Sequence, residues 1–409
     1  MASEITLRID RPANGGQGVG RDDNGRTVFC EGGLPGEQVR VELTEQKKRF
    51  ARGVAVEILE ASPDRITPTC ATHHDGCGGC DMAHTGVDMQ RSIQTHVVRE
   101  ALARIGKFDD EAFTSAWRGF ADTPATGWYR TTARLAVSNE RLGYRRARSH
   151  DLVHPVECGV VHPKIEDVIT TGRFPNSAGP EVVIRTSAAT GETILLLDGS
   201  ADGVVVPDDI RVLNRTEASA GAQVSITEEA GGRSWIVSAE SFFQAGPGVA
   251  TALVDAVRDA AGDVSGTRLV DAYCGVGLFA GTVGAGADAV VAIESASSSI
   301  RDARHNLEQQ RRDGQDVEIV HSPVEAWDAT SADVVIADPA RSGLGQDGVR
   351  SLTQTNAGRI VLVSCDTGAF GRDAGLIRDA GYRLESVQLV DAFRDTSHIE
   401  VVASFRATS

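Results

Sequence analysis

Leu269-Val270-Asp271-Ala272-Tyr273-Cys274-Gly275-Val276-Gly277-Leu278-Phe279 is the most informative stretch of this 409-residue chain. A short apolar run ends in a carboxylate and passes into two glycines, which let the backbone approach a ligand closely before a helix begins. Downstream, Val290-Val291-Ala292-Ile293, Val334-Val335-Ile336 and Ile360-Val361-Leu362-Val363 are further short apolar runs, separated by helical segments. Strands buried on both faces read this way. From Ala239 onward the alternation predicts an α/β domain with an open doubly wound sheet, whose ligands sit at the carboxyl ends of its strands.

Glu294 closes the second run, where a carboxylate can accept both hydroxyls of a ribose. Dinucleotide enzymes share that layout, but Ala280 stands where G-x-G-x-x-G needs its third glycine. With an acidic residue four positions before Gly275, the loop favours S-adenosylmethionine over NAD. Asp338-Pro339-Ala340-Arg341-Ser342-Gly343 ends the Ile336 run and Ser364-Cys365-Asp366 the Val363 run, so both point into the same crevice. A cysteine at a strand end, taken alone, reads as buried filler. The segment from Asp391 to Glu400 adds a carboxylate on a late strand.

The front of the chain has a different rhythm. In residues 1–62, Ile5, Leu7 and Ile9 alternate with polar residues, as do Val39, Val41 and Leu43, then Val54, Val56 and Ile58. Asp23-Asn24-Gly25 is a hairpin signal. Short half-buried strands with glycine joints predict a small closed β-barrel ending at Ser62-Pro63. Residues 63–238 read as a second region: a cysteine-bearing loop, a helix over Val87 to Ile105 with Val97, Val98, Leu102 and Ile105 at helical spacing, then mainly strands. Leu135-Ala136-Val137, Val182-Val183-Ile184, Ile194-Leu195-Leu196-Leu197 and Val204-Val205-Val206 are the strand-like runs. Residues 239–409 complete the chain as the α/β domain.

Composition bounds the classes. An apolar share of 41% excludes disorder throughout. No apolar run approaches the roughly 20 residues a membrane span needs. The N-terminus lacks an apolar signal segment and the seven cysteines are too uneven for a disulfide scaffold, so a cytoplasmic protein is expected. With 41 basic against 57 acidic side chains the net charge is −16, which argues mildly against nucleic acid. Where the charges lie matters more. Arg130, Arg134, Arg141, Arg145, Arg146 and Arg148 fall in one stretch, and Lys47, Lys48, Arg49 and Arg52 form a second basic knot. Either could equally be a solvated face.

Cys70, Cys77 and Cys80 have the spacing C-x6-C-x2-C, with Gly76, Gly78 and Gly79 allowing a tight wrap. Three thiols so close signal a metal, and spacing does not separate zinc from iron–sulfur. His73 and His74 are substitute ligands in the zinc case and solvated loop residues otherwise. Cys30 and Cys274 are assigned to packing.

Together these pieces resemble the class I RNA 5-methyluridine methyltransferases, specifically the bacterial 23S rRNA uracil-5-methyltransferases with an N-terminal TRAM barrel and an iron–sulfur cluster. The resemblance rests on Phe243-Gln244, the Asp271–Phe279 loop, Asp338–Gly343, Ser364-Cys365 with Arg372-Asp373, and His398-Ile399-Glu400, and it covers nearly the whole chain. It implies an S-adenosylmethionine-dependent enzyme in which Cys365 is the nucleophile and Glu400 the base. Gln244, Tyr273, Gly275, Glu294 and Asp338 would line the cofactor site, Asp338 also positioning the pyrimidine edge with Arg341. Cys158 matches the family's fourth cluster ligand beside Cys70, Cys77 and Cys80, which implies a [4Fe-4S] cluster. The implied partner is structured RNA, rRNA before tRNA, for a monomer with no membrane association.

Several positions depart from the family pattern: Ala340 for proline, Asp366-Thr367 for Asn-Pro, Arg394 for proline, and Ala245-Gly246 where asparagine is common. None removes a reacting group, but Asp366 adds a negative charge beside the thiol, which Arg372 or Arg341 must offset. Two other classes compete. A radical methylthiotransferase would use C-x3-C-x2-C with an open iron, which this spacing lacks. An inactive RNA-binding relative would keep cofactor and cluster and modify nothing.

Overall fold

A computed structural model describes residues 3–123, 129–147, 149–155, 157–219 and 224–408. Strands Glu4–Arg8, Arg11–Pro12, Gly18–Arg21, Thr27–Glu31, Gln38–Gln46 and Phe50–Glu60 form the first sheet. Glu4–Arg8 and Arg11–Pro12 lie at its two edges, so one continuous segment borders both sides and the sheet curls into a small barrel. Across that seam Asp10 N donates to Val19 O at 2.8 Å. Leu7, Ile9, Val28, Cys30, Val39, Val41 and Ala51 fill a core belonging to the barrel itself. The Asp22 carboxylate accepts from Asn24 N at 3.0 Å and Arg26 N at 2.9 Å, fixing the turn in which Gly25 takes φ +76°. The expected alternation of Val54, Val56 and Ile58 does not hold. Register shifts between Gln38–Gln46 and Phe50–Glu60 turn Val56 outward, half exposed.

The second sheet has the spatial order Leu152–Val153, Arg141–Arg145, Thr132–Ser138, Glu181–Thr186, Thr193–Leu197, Ile210–Asn214. Its inner strands are apolar on both faces because both are covered. Val182, Ile184, Leu195 and Leu197 pack with Ile165 and Val168 of helix Pro163–Thr171. Val183, Ile194 and Leu196 enter the core of the C-terminal α/β lobe, where the hairpin Ser225–Ala230/Arg233–Ser238 adds the fully buried Trp235. Val204-Val205-Val206, expected as a strand, contributes a bridge from Val205 to Arg173 instead. Pro207, which lacks an amide donor, follows at once.

The third large sheet has eight strands in the order Asp316–His321, Ala289–Glu294, Arg268–Ala272, Val334–Ala337, Arg359–Ser364, Val401–Ala407, Tyr382–Val390, Trp117–Ala121. The first five are parallel and Val401–Ala407 runs antiparallel. The strand order reverses between Arg268–Ala272 and Val334–Ala337, which places a crevice beyond their carboxyl ends.

Two segments assigned by sequence to the 63–238 region belong to this lobe. Trp117–Ala121 pairs in parallel with Tyr382–Val390 at the far edge. Helix Val87–Arg104 packs on helix Thr367–Asp379, so closely that a Cβ on Gly371 would lie 2.7 Å from Ala101 O. Among the described residues, no helix is long and apolar enough to cross a membrane.

Candidate active site

Strand Arg268–Ala272 delivers Asp271 into the core with no exposure. Ala280 N donates to its Oδ2 at 2.7 Å, while Oδ1 is buried without a partner. Burial, reinforced by Asp338 and Glu294, pushes this carboxyl up to about 8. The chain then turns through left-handed residues, Tyr273 at φ +63°, Gly275 at +56° and Gly277 at +92°, before helix Leu278–Thr282 begins. Gly275 N donates to Glu294 Oε2 at 3.1 Å, and Ser295 N and Ala296 N donate to Oε1 at 2.6 and 2.7 Å. Tyr273 presents its hydroxyl to Glu325 Oε1 at 2.6 Å. A Cβ on Gly275 would meet nothing within 4 Å, so the loop opens onto free space. A bare backbone turn beside a half-buried carboxylate fits the ribose and amino-acid ends of S-adenosylmethionine.

Next to the loop stands Asp338, whose Oδ2 accepts from Gln244 Nε2 at 3.1 Å. Gln244 reaches it because the backbone at Gly246 slides past Tyr129 O, where a Cβ would be only 1.9 Å away. Burial raises Asp338 to about 7, with the Gln244 hydrogen bond acting the other way. Glu400 is 4% exposed. Burial and then Asp338 push it well above the carboxylate range. The Cys365 thiol is raised to about 11 by burial, Glu400 and Asp338, while Arg341 lowers it. Four side chains from three strand ends thus act on one another in a single crevice. On its rim, burial and then Arg341 and Arg130 push His398 down.

Asp366 does not play the part expected of it. Its carboxylate caps helix Thr367–Asp379, accepting from Ala369 N at 2.8 Å, a role asparagine would also fill. The acidic groups that raise the thiol are Glu400 and Asp338. Arg372 is likewise engaged elsewhere, donating to Ser342 O at 2.7 Å and Asp373 Oδ1 at 2.8 Å. Asp373 itself takes Leu344 N at 2.7 Å and Gly345 N at 3.1 Å, pinning the loop that carries Arg341.

The segment leading into Glu400 is held from the other end of the sequence, by residues not singled out there. Ser397 N and Oγ donate to Asp81 at 2.7 and 2.5 Å. Gln90 Nε2 donates to Asp395 Oδ1 at 3.0 Å and Gln94 Nε2 to His398 O at 2.9 Å. The only available signal is that Gln90 and Gln94 fall at helical spacing with Ile93, Val97 and Val98, on the buried face of a largely polar helix. Arg394 lies 3.5 Å from Asp391, which also pairs with Arg91 at 3.0 Å.

Asp81 follows the cysteine loop directly. Cys77 bridges to Arg146, and Gly78 N donates to Arg145 O at 3.2 Å, so the loop is tied to the second sheet. Cys158 is held by Glu166, which accepts from its amide at 2.7 Å. The four thiols influence one another electrostatically. Burial, Asp395, Cys158, Cys77 and Cys70 together push Cys80 up to about 12, and burial with Cys158 and Cys70 raises Cys77. Sulfurs that repel one another once ionised suit a positively charged group between them. Among the described residues, however, no three His, Cys, Asp or Glu side chains form a finished ligand set. His73 differs from the solvated residue expected, its Nδ1 being buried without a partner. Cys30 and Cys274 are both buried in packed cores. Within the expected basic stretch, Arg134 pairs with Glu181, Arg146 donates to Asp75 O, and Arg148 lies outside the described residues.

Strand order and glycine loop leave one class of protein, the S-adenosylmethionine-dependent methyltransferases of class I architecture. Comparison with known proteins narrows the class. Residues 2–56 match the TRAM domain, and residues 232–406 match the tRNA (Uracil-5-)-methyltransferase family. The chain is 33% identical to an uncharacterized RNA methyltransferase of Streptomyces avermitilis, covering 98% of both chains. It is 31% identical to the 23S rRNA (uracil(1939)-C(5))-methyltransferase of Pectobacterium atrosepticum, covering 99% of this chain and 94% of that one. The tRNA (uracil-54, C5)-methyltransferase of Pyrococcus abyssi, solved with S-adenosyl-L-homocysteine, shares the fold at a TM-score of 0.73 and 23% identity, over 98% of this chain and all of that one. This chain belongs to the RNA (uracil-5-)-methyltransferase family and is an S-adenosylmethionine-dependent enzyme acting on RNA.

Proposed function

We propose that the enzyme methylates C5 of a uridine in 23S rRNA through a transient bond between Cys365 and C6 of the base, with Glu400 as the base that completes the reaction. The observation that carries this reading is the mutual influence of Cys365, Glu400, Asp338 and Arg341 in one crevice beside the glycine loop. C5 of uracil is too weak a nucleophile to take a methyl group unaided. Addition of Cys365 Sγ to C6 forms a carbon–sulfur bond and turns the ring into an enolate, whose electron pair lies on C5 and O4. S-adenosylmethionine supplies the methyl group as an electrophilic sulfonium. Glu400 then takes the C5 proton, and the released pair re-forms the C5–C6 double bond and expels the thiolate. Arg341 favours the thiolate form of Cys365, and Asp338 with Arg341 faces the pyrimidine edge. The target base must leave its stack to reach this depth.

Cys70, Cys77, Cys80 and Cys158 would hold a [4Fe-4S] cluster, which supplies the positive charge their gathered sulfurs call for and braces the loop ending in Asp81. The enzyme would work in the cytoplasm as a monomer. The 23S rRNA target is favoured by bacterial relatives named for that RNA and by the N-terminal barrel. Mass spectrometry of RNA treated with the enzyme and labelled S-adenosylmethionine tests the chemistry. Label must appear on uridine C5 and vanish in Cys365→Ala; an unlabelled uridine would favour a binding protein. Mapping the 5-methyluridine lost from a deletion strain separates rRNA from tRNA.

A further inference from the structure

We propose that the outer face of the barrel built by Phe29, Phe50 and Arg52, with the adjoining turn Lys47-Lys48-Arg49, is a stacking platform for unpaired nucleotides flanking the target uridine. This rests on the RNA-methyltransferase reading and adds the surface and the kind of contact it makes.

Two rings are placed where they contribute little to a core. Phe29 and Phe50 alternate with the inward residues Val28, Cys30 and Ala51, so both lie on the outside of the barrel. Their centroids are 6.2 Å apart at an interplanar angle of 80°. Arg52, the register partner of Phe29, holds its guanidinium carbon 5.1 Å from one ring centre and 5.7 Å from the other. In a chain only 5% aromatic, two half-buried rings under an exposed arginine form an uncommon surface.

The charge around them has one sign in excess. Lys47, Lys48 and Arg49 are all exposed in the turn joining Gln38–Gln46 to Phe50–Glu60. Glu45 opposes them, 3.3 Å from Lys47 and 3.6 Å from Arg52. A local excess of cations on a protein of net charge −16 favours a polyanion at this face. Rings that accept the π-face of any base, beside cations that follow the backbone, suit single-stranded RNA.

The platform also lies close to the crevice along the chain's own contacts. Arg52 donates to Gln17 Oε1 at 3.1 Å. At the neighbouring Gly16, a Cβ would lie 3.2 Å from Ser397 Cβ and equally near Met82 Cγ. The loop 13–17 therefore touches the platform on one side and, on the other, the segment leading into Glu400. A uridine drawn into the crevice leaves its neighbours without a stacking partner, and the rings stand next along that path.

The test uses the full-length enzyme and a fluorescently labelled, unstructured RNA of about 15 nucleotides, within the site size of small barrels. F29A/F50A is expected to weaken binding by about tenfold or more, and F50W to bind like the wild type. K48E/R49E, at exposed positions where misfolding is not at issue, should lower the slope of log Kd against log salt by about 1.4 for two lost phosphate contacts. Far-UV circular dichroism and resistance of the barrel to limited proteolysis report its folding, because its core is separate from the cofactor lobe; if F29A/F50A loses either, K48E/R49E decides. Wild-type RNA affinity in F29A/F50A with normal cofactor binding overturns the platform, as does an unchanged salt slope in K48E/R49E. Absence of methyl transfer in an enzyme that still shows these binding differences would sink the uridine chemistry and leave the platform standing.

Discussion

Cys365 and Cys80 have thiols pushed up to about 11 and about 12, in both cases first by burial. Their company differs. Cys365 faces two carboxyls and a guanidinium, so its environment contains a cation that favours the thiolate. Cys80 faces Asp395 and three further sulfurs, all of which become more hostile to its ionisation as they ionise themselves. The first site can be poised by small changes in charge, which the proposed nucleophile requires. The second is at ease only with every thiol protonated or with a cation among the sulfurs. The same residue type thus stands in two electrostatic settings that differ in their neighbours.

Replacing Cys365 by alanine should separate the two sites most sharply. Methyl transfer falls by roughly four orders of magnitude or more, with any bound iron unaffected. Glu400→Gln should keep the thiol's addition step and lose the proton abstraction. Turnover then drops about 10²- to 10⁴-fold, and an RNA–protein adduct that survives denaturing electrophoresis accumulates. Cys80→Ser acts at the other site. Absorbance near ~400 nm and iron content should fall together. Turnover should fall about 10- to 100-fold as the Asp81–Ser397 contact loosens, a range borrowed from supporting shells of metal sites. A colourless wild-type protein containing zinc would replace the cluster with a single ion.

The pH profile gives a smaller effect. In the proposed reaction Cys365 and Glu400 must both lose a proton to act, and both are raised, so the single-turnover rate is expected to climb as pH rises from neutrality. Arg341→Gln removes the group that lowers the thiol, shifting that climb to higher pH and cutting the rate at pH 7 about tenfold. Smallest is a stability effect at Asp271. Its folded-state value of about 8 lies above the ordinary aspartate range. The stability linked to its protonation is complete below about pH 4 and is lost as pH rises through about 8. Asp271→Asn, whose amide oxygen can still accept from Ala280 N, should flatten that decline in Tm measured without cofactor.

Sequence exposed those parts of the molecule whose physics is local. Val290–Ile293 and Ile360–Val363 are apolar throughout because helices and neighbouring strands cover both faces, and Asp23-Asn24-Gly25 turns because Asp22 bonds its own backbone. The glycine loop and the thiol at Cys365 were legible for the same reason, each sitting at the end of such a strand. Parts that depend on distant partners were hidden. Trp117–Ala121 has no alternation of its own and becomes a strand only against Tyr382–Val390. Gln90 and Gln94 look like solvent-facing residues, yet both are buried against the Asp395–His398 segment. Asp366 looked like a threat to the thiol because adjacency in sequence does not reveal that its carboxylate is turned toward the helix amides.

The shared apolar interior of the second sheet and the catalytic lobe bears on how this protein can be taken apart. Leu196 and Trp235 are sealed into the same interior as Val254 and Leu269, whereas Leu7, Val28 and Val41 line an interior of their own. Separating the barrel beyond Ser62 therefore opens the small Leu34–Met82–Ile93 contact and the Glu37–Arg65 pair, and leaves the barrel's own core closed. A cut between the hairpin and the catalytic helices instead opens a wound on both pieces, so these two lobes must be inherited, and must melt, together.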